Sequence, residues 1–138
     1  MMIYQSVLNY LANSSFHIIS DGTYDYVVNL NCKCLPSIVV ADKTAFEATT
    51  NHVHLVNRVS RSQYRQIKYC AEAICRLFAY KLKALFPDKV FVVSLTCTRK
   101  DSLILRFHQK WEGETFYIQS DCNYGRNTFV SVIETDKI

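Results

Sequence analysis

Four cations at helical spacing carry the plainest chemistry in this sequence. Arg58, Arg61, Arg65 and Lys68 recur at intervals of three and four residues. A helix that starts near Ser60 presents them together around its first turns. Cations there oppose the helix dipole, at a cost of about 0.3–1 kcal/mol each. Selection for helix stability alone would place acids at those positions. Such a face suits an anion or an acidic protein surface. A solvated helix face trimmed by the pairs Lys68–Glu72 and Glu72–Arg76 accounts for the same pattern.

The opposite charge gathers around the single tryptophan. Trp111 ends a predicted strand beside Glu112 and Glu114, with Asp121 in the loop that follows. A tryptophan in this position either caps a core or anchors an interface. In the second case the three acids form the rim of a partner site.

Cys32-Lys33-Cys34 and His52-Val53-His54 offer two thiols and two imidazoles, a set that zinc accepts. Structural zinc sites usually show C-x2–4-C spacing, so C-x-C with H-x-H is a weak match, and no metal is expected. His17, His52, His54 and His108, with Lys110 and the arginines, supply the residue types of a metal-free nuclease. They supply no recognisable spacing. With only Gly22, Gly113 and Gly125 in the chain, a glycine-rich phosphate cradle is excluded. Neither a G-x-S-x-G nor a G-x-G-x-x-G pattern is present. No cofactor and no catalytic residue are expected.

The elements that must position these residues follow from periodicity. Ile3, Val7, Leu8 and Leu11 predict a helix over 2–13. Strands over 16–19 and 24–30 flank the turn dipeptide Asp21-Gly22. Residues 37–40 form a possible third strand, 42–47 one helical turn, and 52–56 an extended segment. Ser60 with Gln63 is a capping box. From there Tyr64, Ile67, Ala71, Ile74, Phe78, Leu82 and Leu85 form an apolar stripe, widened by Ala73, Leu77, Tyr80 and Ala84, until Pro87-Asp88 stops the helix. Alternation then predicts strands over 90–98, 103–111, 115–119 and 128–134. The expectation is a single α+β domain over 1–138: a long central helix on an antiparallel sheet with a C-terminal four-stranded meander.

Composition bounds the rest. The 138 residues are 49% hydrophobic and 20% charged, which excludes disorder as a global description. Residues 1–5 carry no basic n-region, and Asn9, Asn13, Ser14 and Ser15 break the apolar residues after them. Neither a signal peptide nor a membrane span is expected. A cytoplasmic protein with reduced cysteines is. The net charge of +4 hides a division. Residues 58–110 hold 12 basic and 3 acidic residues, whereas the flanks hold 4 and 9.

The stretch Leu105-Arg106-Phe107-His108-Gln109-Lys110-Trp111-Glu112-Gly113-Glu114-Thr115-Phe116-Tyr117 resembles the C-terminal strand-turn segment of some bacterial immunity proteins from contact-dependent growth inhibition systems. The shared features are a Phe-His strand, a Gly-Glu turn and an aromatic. The resemblance implies a small non-enzymatic cytoplasmic protein, monomeric or homodimeric, that binds and neutralises a cognate toxin domain. A basic toxin would prefer Trp111, Glu112, Glu114 and Asp121. An acidic one would take Arg58, Arg61, Arg65 and Lys68. The alternatives are a nucleic-acid-binding or regulatory protein using the basic helix, and a ribonuclease-like enzyme.

Overall fold

A computed structural model describes residues 3–29, 42–120 and 123–138. Helix α1 (Ile3–Asn13) leads into the hairpin β1 (Phe16–Ser20) and β2 (Asp25–Asn29). Then come α2 (Lys43–Thr50), β3 (His52–Asn57), α3 (Arg61–Leu85), β4 (Phe91–Thr98), β5 (Ser102–Gln109), β6 (Thr128–Glu134) and a 3-10 turn, Thr135–Lys137. Residues 37–40, Cys32, Cys34 and Asp121 lie outside the described residues.

The long helix begins as its sequence dictates. Ser60 Oγ accepts from Gln63 N–H at 3.2 Å, and Gln63 Oε1 accepts from Ser60 N–H at 2.9 Å, which completes the capping box. Ile67, Ala71, Ile74, Cys75, Phe78, Ala79 and Leu82 are buried at 3.6-residue spacing. They pack on Phe91, Val93, Leu95 and Cys97 of β4 and on Leu103, Leu105 and Phe107 of β5. Each large side chain buried here contributes about 1.5–3 kcal/mol. The residues expected to widen the stripe do not join it. Leu77 and Tyr80 are about half exposed and Ala73 and Ala84 are exposed, as is Leu85 of the stripe itself, because one sheet and the flank of α1 leave the rest of α3 in water.

The architecture is α+β, with α3 on an antiparallel four-stranded sheet in the order β3-β5-β4-β6 and a separate two-stranded sheet β1-β2. Strands β3 and β4 both run antiparallel to β5, so they are parallel to each other and need α3 as their crossover. Strands β5 and β6 both run antiparallel to β4, so the intervening chain must also cross the sheet. It does so on the face away from α3. Residues 115–119, expected as a strand, therefore take no place in the sheet. Phe116 instead lies 6.1 Å from the His108 ring, and Tyr117 N–H reaches His108 Nε2. The fourth strand is β3, from before the helix.

The cysteines described are free thiols. Burial pushes the Cys75 thiol up to about 12 and the Cys97 thiol to about 11, so neither is a nucleophile. Among the described residues, no helix is long and apolar enough to cross a membrane.

Candidate functional site

Three chain segments meet at the N-terminal end of α3. Val59 is buried there, and its N–H donates to the Asp101 carbonyl at 3.0 Å while its own carbonyl accepts from Lys100 N–H at 2.9 Å. This clamps the β4–β5 turn against the helix start. Arg99 N–H in turn donates to the Asn127 carbonyl at 2.8 Å, drawing in the loop that precedes β6. Arg58, Arg61, Arg65 and Lys68 are thereby joined at one end of the molecule by Arg99, Lys100 and Arg126.

This basic pole keeps its cations out of ion pairs among the described residues, although the exposed Asp101 shares the turn of Arg99 and Lys100. Among the described residues, none of those seven cations lies within ion-pair distance of a carboxylate. All are exposed except Arg99, which is half-buried. Several other cations of the basic middle are engaged elsewhere. Arg76 pairs with Glu72 at 3.0 Å, and Lys110 pairs with Glu134 at 2.7 Å and with Asp136. Lys81 donates to the Leu11 and Ser14 carbonyls at 2.6 and 2.7 Å, capping the C-terminus of α1. With these engaged, the pole holds six of the nine remaining cations of the basic middle.

The backbone at the pole is also unusual. Arg58 and Lys100 have φ of +55° and +70°, the left-handed region where glycine or asparagine is at home. A long side chain there costs about 1–3 kcal/mol. Both positions carry a cation where glycine would be easier.

Trp111 and Glu114 occupy a different kind of place. Trp111 Nε1 donates to Glu47 Oε1 at 2.7 Å, and its ring lies against Tyr24 and Tyr26 at 5.8 and 5.6 Å. Glu47 is fully buried and accepts three further hydrogen bonds, from Val27 N–H, Gln109 N–H and Gln109 Nε2. Its burial pushes the carboxyl above the ordinary range although four N–H groups favour the charged form. Glu114 accepts from Thr44 N–H at 2.7 Å and pairs with Lys43 Nζ at 3.0 Å, at the N-terminus of α2. Burial opposes its charge, but the Thr44 and Lys43 hydrogen bonds outweigh it and hold Glu114 at about 2. Two members of the expected rim thus bind the molecule together, and Glu112 alone of the described three is exposed.

The histidines divide. His17 lies on β1, in the two-stranded sheet. His52, His54 and His108 lie on the four-stranded sheet, with the His52 and His54 rings 5.5 Å apart and His108 buried. Among the described residues no three His, Cys, Asp or Glu side chains converge as a metal site.

Arg99, Lys100 and Arg126 are the site residues that sequence reasoning missed. They lie 31 or more positions from Lys68 in the chain. The hydrogen bonds at Val59 and Asn127, with the ring contact of Tyr64 on Phe129, bring them to the helix.

A family model described as the Uncharacterized protein PM0498 family matches residues 31–137. The chain belongs to the PM0498 family. No curated protein and no solved structure matches it. In this PM0498 family member the matched span runs from before α2 to the end of the 3-10 turn, so it holds every residue of the basic pole and leaves α1, β1 and β2 outside.

Proposed function

We propose that this chain is a non-catalytic, cytoplasmic binding protein that captures an acidic partner at its basic pole. Most concretely, it is an immunity protein that neutralises a cognate toxin domain. The observation that carries the reading is the pole itself: seven cations from three segments, without an ion pair among the described residues, two of them held at left-handed backbone positions. Surfaces of one sign speed encounter and reject partners of like charge. With Trp111 and Glu114 engaged internally, the basic surface rather than the acidic one is offered to a partner. The toxin face that docks is therefore acidic.

The test is co-expression with the toxin-like product of the adjacent reading frame. Wild-type chain rescues growth and forms a complex of nanomolar affinity. Arg61→Glu with Arg65→Glu loses rescue while keeping its circular dichroism spectrum. Equal rescue by the folded double variant sinks the proposal.

One observation favours nucleic acid as a second reading. Tyr69 is 93% exposed on α3, next to Lys68 and one turn from Arg65, an arrangement suited to stacking a base beside a phosphate. A salt-dependent shift of single-stranded RNA at about 50 mM salt, abolished by the same double variant, supports that reading instead.

A further inference from the structure

The sheet face opposite α3 carries an unexplained cation. In β5 the side chains of Ile104, Arg106 and His108 alternate with the core residues Leu105 and Phe107, so they stand on the outer face. Register places Arg106 directly between His52 on β3 and Ser94 on β4. The neighbouring rung places Ile104 between His54 and Thr96. Side chains directly opposite one another in antiparallel strands have Cβ atoms about 4.5–5.5 Å apart. One guanidinium, two imidazoles and two hydroxyls therefore share a patch two rungs deep.

Two polar atoms of this patch lack partners among the described residues. Arg106 Nε and Thr96 Oγ1 are both buried with no hydrogen-bond partner among the described residues. The Arg106 guanidinium has one described companion, the ring of Tyr117, 5.4 Å away on the crossing segment. Of the carboxylates that reach this face, Glu134 sits opposite Val92 at the sheet's far end and is paired with Lys110 and Lys137, while Glu114, which with Asp42 interacts with His108, is paired with Lys43. His52 Nδ1–H donates to the Thr49 carbonyl at 2.6 Å, which leaves Nε2 as its available ring nitrogen.

We propose that this face is a binding site for a small phosphate-type oxyanion, with Arg106 as its principal ligand and His52, His54, Ser94 and Thr96 around it. A buried guanidinium Nε–H and a buried hydroxyl without partners are costly to keep, although Arg106 as a whole is only half-buried. A tetrahedral oxyanion supplies acceptors to both, and the planar guanidinium fork matches two of its oxygens. The proposal does not depend on the basic pole, which lies at the α3 N-terminus and uses other residues. The phosphate arrives either as the free ion or as the end group of a nucleotide.

Amide and arginine Nε–H spectra recorded during titration with inorganic phosphate, and separately with adenosine monophosphate, test this. The expected result is saturable shifts at residues 52–54, 94–96 and 104–106 and at Arg106 Nε–H, with a Kd of about 1 mM or tighter. Tighter binding of the nucleotide identifies the phosphate as an end group, and equal binding identifies the free ion. Arg106→Gln weakens binding tenfold or more. His54→Gln, at an exposed edge position, weakens it severalfold and decides the matter if Arg106→Gln does not fold. Thr96→Val raises Tm and weakens binding together, a split that a purely structural threonine does not give. The proposal is overturned by shifts confined to residues 58–68 and 99–100, by no saturable shift, or by unchanged affinity in the folded variants.

Discussion

Glu114 is where a residue read as surface chemistry turns out to hold the fold. It closes the N-terminus of α2, where a carboxylate also complements the helix dipole. Since its folded pKa is about 2 against an ordinary 4.5, its contribution is complete above about pH 4.5 and is lost as the pH falls towards 2. Glu114→Gln should cost about 1–2 kcal/mol at neutral pH. Urea denaturation as a function of pH checks it: the gap between wild type and variant closes as the pH falls from 4.5 to 2. A gap that stays constant over that range removes the assignment. Trp111 follows the same logic through its bond to Glu47. The sequence around these two residues is a plausible rim, and nothing local distinguishes a rim from a latch. Their partners are 64 and 70 positions away, and long-range pairing is invisible to periodicity.

Among the elements, α3 was legible in its bounds and in most of its buried face, although Leu85 and the four residues expected to widen the stripe are exposed. Its capping box, its buried stripe and its end before Pro87 all follow from local rules. The hairpin β1–β2 around Asp21-Gly22 was legible for the same reason. What escaped was sheet membership. Residues 115–119 alternate like a strand, yet the slot beside β5 was already taken by β3, and β6 took the slot beside β4. Competition for an edge is decided by the whole fold and leaves no local mark. The attachment of α1 is another such long-range effect. Phe16 packs edge-on against Phe78 and Phe107, and Lys81 holds the end of α1 with three hydrogen bonds. Lys81→Met keeps the apolar stem but loses those bonds. It should cost about 1.5–3 kcal/mol and raise amide exchange across residues 3–20 before the rest of the chain. Uniform exchange across the chain would show that Lys81 does not fasten this unit.

Charge is the property that only the whole molecule explains. The excess of cations between residues 58 and 110 was visible in the sequence, but its distribution was not. Once Arg76, Lys81 and Lys110 are assigned to structural partners, six of the nine remaining cations of that window lie at one end, with Arg126 added from outside it. The left-handed positions there allow charge and stability to be separated. Replacing Arg58 and Lys100 together by glycine removes two cations and relieves two strained backbones. Each site should gain up to about 0.5–1 kcal/mol, allowing for the greater freedom of glycine in the unfolded chain. For a chain of this size that raises Tm by about 3–5 °C for each kcal/mol. The same double variant should elute from a heparin column at lower salt than wild type, because the field that attracts polyanions is weaker. The control is Lys83→Gln with Lys89→Gln, which removes two cations at the other end of α3; equal lowering of the eluting salt in both variants reports net charge alone. A larger drop for the Arg58 and Lys100 variant shows that the pole acts as one field, and the comparison needs no knowledge of the partner.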